Sequence, residues 1–171
     1  MRTIETIAYK FEELSEVAQQ NATGYLSDIN VDYGWWENVY YDAKEVYLLI
    51  KEFDIFKKDI SISFLSHAED TAYKIEKEHG ETCNTYAITK EYLTKRDELI
   101  ENSEKDEFGE FLDCYQLDSD LDELDKIYLK QLSQEYLIIL DNEYIYLTSE
   151  ESVNETILAN DYEFNEYGKM I

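Results

Sequence analysis

The sequence predicts an α+β fold, a small antiparallel sheet packed with about six helices. Three observations predict it. Over most of the chain apolar residues recur at the three- and four-residue spacing of a helix face. In a few short stretches they alternate, as on a half-buried strand. No proline and only five glycines interrupt the 171 residues, so nothing reads as a linker and residues 1–171 are expected to form one domain.

Ile4–Phe11 alternates loosely and fits an opening strand. Ser15 then caps a helix to about Leu26, with Leu14, Ala18, Ala22 and Tyr25 on one face. In the stretch DYGWWENVYYDAKEV, Trp36, Val39, Tyr40 and Ala43 stand at i, i+3, i+4 and i+7, and Asp32 is the candidate cap. That spacing makes the stretch mainly core. Trp35 and Tyr41 point elsewhere and are candidate partner-binding residues, since exposed Trp and Tyr anchor interfaces.

Val46–Phe53 and Asp59–Leu65 read as a hairpin, with Ile60, Ile62 and Phe64 alternating against Ser61 and Ser63. Ser66 and Glu69 form a capping-box pattern before a helix with the stripe Ala68, Ala72, Ile75, and Gly80 supplies its stop. A further helix covers about Thr82–Glu101, with Tyr86, Leu93 and Ile100 seven apart. Phe108, Phe111, Leu112 and Tyr115 suggest a short helix. Leu121, Leu124, Tyr128 and Leu132 begin a long one that reaches about Asn142. Thr148 and Glu151 form a second capping box before the last helix. The segment YEFNEYGKMI reads as a hairpin turning at Gly168, which returns to pair with the N-terminal strand.

Forty Asp and Glu oppose fifteen Lys and Arg, a formal net charge of −25. A surface of this sign excludes direct contact with nucleic acid and with anionic membranes, and it favours a basic partner. The alternative is an acidity that serves solvation only. Hydrophobic residues at 44% suffice for a core, and sixteen tyrosines suit both a core and an adhesive surface. Cys83 and Cys114 fall in segments that read as helical and have no metal-ligand spacing, which suits a reducing compartment. The N-terminal segment MRTIETIAYKF lacks an apolar signal core, and no apolar run approaches the roughly 18 residues of a span. A cytoplasmic location in a bacterial host cell is the expectation.

No glycine-rich phosphate loop, nucleophile elbow or zinc-protease motif occurs, so no catalytic residue is assigned and no enzyme is expected. His79 and Cys83, four apart, are two metal-type ligands and no site. The run DSDLDELD, residues 118–125, lacks the turn glycine and closing glutamate of a calcium loop and reads as the acidic start of a helix. No cofactor and no metal are expected.

The densest feature is acidic. Asp97, Glu98, Glu101, Glu104, Asp106, Glu107, Glu110, Asp113, Asp118, Asp120, Asp122, Glu123 and Asp125 are opposed within their span by Lys105 alone. On helices rising about 1.5 Å per residue, such a run approaches the charge density of a duplex, about one charge per 1.7 Å of axis. It is the candidate partner-binding ridge, with Phe108, Phe111 and Tyr115 as interleaved anchors or as core. The alternative is a solvated face.

Four stretches carry a resemblance: YKFEELSEVAQQNA, DYGWWENVYYDA, HGETCNTY and EYIYLTSEESVNETILANDYEFNEYGK. Together they resemble a family of small acidic bacteriophage accessory proteins, often labelled an antitoxin of a toxin–antitoxin system. The resemblance covers about half the chain, and the middle departs from it by lacking a longer glycine-rich hairpin. It implies no catalytic residue. It implies a phage-borne accessory protein acting inside a bacterial cell.

Charge and resemblance together give one leading expectation. The protein is a phage anti-defence inhibitor that occludes the basic groove of a CRISPR effector or restriction nuclease by nucleic-acid mimicry. The alternative is an antitoxin that neutralises a basic toxin by direct binding. A carboxylate-based enzyme is the third reading.

Overall fold

A computed structural model describes residues 7–109 and 111–171. In chain order its elements are β1 (Tyr9–Lys10), α1 (Glu16–Tyr25), α2 (Glu37–Glu45), β2 (Leu48–Asp54), β3 (Asp59–Phe64), α3 (Ala68–Glu78), α4 (Asn84–Asn102), α5 (Cys114–Leu147), α6 (Glu150–Ala159) and β4 (Glu163–Phe164). The fold is α+β. Among the described residues the four strands form two separate antiparallel ribbons, β1–β4 and β2–β3, in place of one sheet. The chain divides into two compact units, one made of Met1–Trp36 with Asn142–Ile171, the other of Glu37–Asp141. No helix among the described residues is long and apolar enough to cross a membrane.

In the first unit the opening strand is shorter than its sequence pattern. Tyr9 and Lys10 pair with Phe164 and Glu163, and a 3-10 turn, Phe11–Glu13, follows at once. The rest of the expected strand, from Ile4, lies outside the described residues at its start. Ser15 caps α1 as expected, its Oγ accepting from the Ala18 N–H at 3.3 Å. Leu14, Ala18 and Ala22 of α1 and its lead-in pack with Val153, Ile157 and Phe164. Tyr25, expected on that face, is instead 70% exposed, because the apolar stripe ends at Ala22. The last helix begins one residue later than its sequence pattern: Ser149, not Thr148, is the cap and accepts from the Ser152 N–H. The side chain of Asn30 ties this unit together, donating to the Leu147 carbonyl and the Ser152 hydroxyl and accepting from Thr156. The tail turns as expected: Gly168 at φ +82° donates to the Asn165 carbonyl, and Phe164 bridges to Met170.

In the second unit the hairpin register is Leu48↔Phe64 and Ile50↔Ile62, then Glu52↔Ser61 and Phe53↔Ile60. The sequence LLIKEF breaks strict alternation at Lys51–Glu52. A bulge there takes up the extra residue, so Phe53 returns to the face of Leu48 and Ile50. Tyr40 of α2 sets its ring 6.1 Å from that of Phe53, while Val39 and Ala43 are buried. This helix starts at Glu37, so neither Asp32 nor Trp36 belongs to it. On α3, Ala68, Ala72 and Ile75 are buried as expected. Its start differs: Asp70 accepts from the His67 N–H and the Ser66 hydroxyl, one residue beyond the expected Ser66–Glu69 box. It ends because His79 turns extended, at φ −90° and ψ 144°, without a left-handed glycine at Gly80.

Helix α4 buries an unexpected face. Thr85, Thr89 and Tyr92 are buried, whereas Tyr86, Leu93 and Ile100 are half-buried. Each buried hydroxyl has a partner: Thr85 pairs with His79 Nδ1 at 2.7 Å, Thr89 with the Tyr128 hydroxyl at 2.7 Å, and Tyr92 donates to Asp125 at 2.7 Å. Buried polar groups are tolerated where they are paired in this way. With Asn84 donating to Glu135, these contacts run 84–135, 89–128 and 92–125, so α4 and the start of α5 lie antiparallel. The Tyr92 and Tyr128 rings stack between them.

Candidate partner-binding surface

The expected short helix over Phe108–Tyr115 does not form. The described residues 103–109 and 111–113 make a narrow turn instead. Lys105 bridges antiparallel to Phe111, and the Leu112 N–H donates to the Glu104 carbonyl at 2.9 Å. At the tip the Asp106 carboxylate accepts from the Phe108 N–H at 2.8 Å, and Gly109 sits at φ +86° with its N–H on the Asp106 carbonyl. An aspartate that bonds two residues ahead and a glycine three residues on are the residues such a turn selects. Asp113 then caps α5, accepting from the Gln116 N–H at 2.9 Å.

This turn and the first residues of α5 present apolar side chains to solvent. Phe108 is 82% exposed and Tyr115 86%, with Leu112 exposed beside them. Phe111 is half-buried under the Lys105 ammonium, which sits 4.7 Å from its ring centroid. Of the three aromatics proposed as anchors or core, two are therefore on the surface.

The carboxylates are spread over three places. Asp97, Glu98 and Glu101 are exposed on the C-terminal half of α4. Glu104, Asp106, Glu107 and Asp113 are exposed on the turn. Glu110 lies outside the described residues. On α5 the helical phase separates the rest. Asp118, Asp122 and Asp125, at i, i+4 and i+7, lie beside Glu69 and Arg96. Asp120 and Glu123 face the opposite way, into a groove shared with Glu98. A single ridge is thus replaced by two acidic helix faces and an acidic turn. Four of the carboxylates also have structural work: Asp106 and Asp113 in the turn and cap, Asp120 accepting from Gln116, and Asp125 accepting from Tyr92.

Positive charge nearby is largely engaged. Arg96 pairs with Glu69 at 2.7 Å, Lys95 with Glu91, and Lys126 with Glu123 at 3.6 Å. The faces therefore keep a strong negative field, which attracts a basic partner over long range.

The two aromatic candidates separate. Tyr41 is 67% exposed on α2. Trp35 is half-buried and is corrected from exposed anchor to packed ring: it meets Trp36 edge-on at 5.8 Å and Tyr144 at 5.6 Å, within the first unit.

Among the described residues no group of three or more His, Cys, Asp or Glu is arranged to hold a metal ion. Cys83 and Cys114 are free and exposed. His79 lies between Thr85 and Asp42, with its Nε2 3.7 Å from Asp42 Oδ1, and Asp42 accepts from the Tyr136 hydroxyl at 2.9 Å. Burial foremost, and then the Asp42 carboxylate, raise the Tyr136 hydroxyl well above the ordinary tyrosine range. The same cause raises Tyr92 and Tyr128, with the Asp125 carboxylate adding to the effect on Tyr92 and the Thr89 hydrogen bond opposing it on Tyr128. These groups bond the helices to one another. The Thr85–Thr89–Tyr92 spacing on one helix face was the sequence signal for them.

No protein-family model, curated protein or solved structure matches the chain.

Proposed function

We propose that this protein is a phage anti-defence inhibitor that binds the basic groove of a nucleic-acid-handling effector, a CRISPR effector or restriction nuclease, and keeps nucleic acid out. One observation carries the reading: Phe108 and Tyr115 stand free in solvent amid the exposed carboxylates Glu104, Glu107 and Asp118. Exposed apolar side chains close together mark interaction surfaces, and aromatics are typical interface anchors. A partner groove lined with Lys and Arg supplies the opposite charge, and its displaced counterions drive association as they do for nucleic acid. The helix phase of α5 modifies the mimicry. Contact is made by the acidic turn and one helix face at a time, not by one continuous rod of charge.

The test is a cleavage assay with purified effectors of both classes. Wild-type protein is expected to inhibit, to be competed by DNA and to weaken as salt rises. The variant Asp97→Asn, Glu107→Gln, Asp118→Asn, Asp122→Asn is expected to lose at least about tenfold in inhibition, roughly 1.4 kcal/mol, with a flatter salt dependence. Equal inhibition by that variant would sink the mimic reading. A partner indifferent to competing nucleic acid would favour the antitoxin reading.

A further inference from the structure

The antiparallel pair α4–α5 carries a groove along one side. Around Tyr92 and Tyr128 the stacked rings fill the space between the helices. Toward the C-terminal end of α4 the two helices flank a groove of about 710 Å³. Its floor is Leu99 of α4 with Leu124 and Ile127 of α5, and its rim is Glu98, Asp120 and Glu123. On α5 the lining residues stand at 120, 123, 124 and 127, and on α4 at 95, 98, 99 and 102. Both sets follow i, i+3, i+4, i+7, so each stripe runs about two helical turns, roughly 10 Å.

We propose that this groove is the seat of a basic amphipathic helix of the partner. The inference rests on the partner-binding reading above and names the chemistry of what is bound. Leu99, Leu124 and Ile127 accept an apolar stripe, and the acidic rim pairs with Lys or Arg on its two flanks, the helix-in-groove mode of recognition. Charge selects the occupant. Among the described residues the groove's one lining cation, Lys95, is already paired with Glu91. A second copy of this chain, itself carrying a net charge of −25, would bring like charge against the rim.

The probe is a fluorescent synthetic Leu/Lys peptide of about five helical turns, compared with a scrambled peptide of the same composition. Both carry the same charge, but only the first can present an apolar stripe. Binding is read by anisotropy, and peptide helicity by circular dichroism. The amphipathic peptide is expected to bind about tenfold tighter and to become helical on binding. Ile127→Gln is expected to abolish that preference and leave scrambled-peptide binding unchanged. Ile127 is 45% exposed, so the variant keeps the fold, which the protein's own circular dichroism checks. Glu98→Gln with Glu123→Gln is expected to weaken both peptides. Equal binding of the two peptides, or a preference that survives Ile127→Gln, overturns the proposal. So does self-association of the chain that Ile127→Gln removes. Loss of peptide preference leaves the cleavage assay to decide the anti-defence reading separately. Failure in that assay with the preference intact would sink the anti-defence reading alone.

Discussion

The rings of Tyr92 and Tyr128 stack 4.1 Å apart, 14° from parallel. Each also spends its hydroxyl on the opposite helix, Tyr92 on Asp125 and Tyr128 on Thr89. Tyr128→Ala removes a fully buried ring and is expected to cost about 3–5 kcal/mol in urea unfolding. Tyr92→Phe keeps the stack and loses only the bond to Asp125, at an expected cost of about 1 kcal/mol. If the two variants unfold at the same urea concentration, the stack is not what holds α4 to α5.

The buried tyrosines also fix how the protein responds to base. Tyr92, Tyr128 and Tyr136 are raised above the ordinary value of 10.0, chiefly by burial. Their neutral forms therefore favour the folded state fully below pH 10, and that contribution is lost as pH rises from there toward the folded values. In an alkaline titration, absorbance of the tyrosinates of these three is expected to appear only together with loss of helical circular dichroism. Complete tyrosine ionisation with helicity intact would contradict the burial described for these three.

Gly168 cannot carry a side chain. It lies at φ +82°, and a Cβ there would meet the Ala18 carbonyl oxygen at 2.0 Å. Gly168→Ala is expected to destabilise the first unit by roughly 3 kcal/mol or more, through strain in the left-handed region and a clash with backbone. The clash is with a main-chain atom, so Ala18→Gly should not rescue it. Hydrogen exchange at Tyr9, Lys10 and Phe164 reports the outcome.

Phe108 and Tyr115, exposed on the surface, are expected to contribute to binding and not to folding. Replacing both with Ser is expected to leave unfolding within about 0.5 kcal/mol of wild type. Inhibition of the effector should fall by tenfold or more while its salt dependence stays. A stability loss as large as the binding loss would mean that these rings are packed in solution.

Much of the fold was legible where one short-range rule decides the geometry. Ser15 as a cap, the β2–β3 hairpin, the stripe Ala68–Ala72–Ile75 and the turn at Gly168 all follow from neighbours within a few residues. The buried face of α4 was not legible in that way. Apolar spacing favours Tyr86, Leu93 and Ile100, but Thr85 and Thr89 are buried because their hydroxyls find His79 and Tyr128, and Tyr128 is 39 residues from Thr89. The turn at 106–109 was written in Asp106 and Gly109, and the aromatics after it obscured that signal by imitating a helix stripe. At the candidate surface, the carboxylates were evident from composition. Their division between faces depended on where α5 begins, at Cys114 instead of near Leu121, because only a helix that includes Asp118 and Asp120 sets those two on opposite sides, about 200° apart at roughly 100° per residue.

The unit Glu37–Asp141 is a single stretch of chain, whereas the other is assembled from both flanks. During synthesis this imposes an order. Ala18 and Ala22 leave the ribosome early and stay uncovered until Val153, Ile157 and Phe164 are made. At about 5–20 residues per second, the stretch 142–171 takes roughly two to six seconds to translate. In that interval the contiguous unit, with its acidic turn and groove, can complete its own packing. A nascent chain would thus complete its contiguous unit before its two flanks have met, with Ala18 and Ala22 of α1 still uncovered.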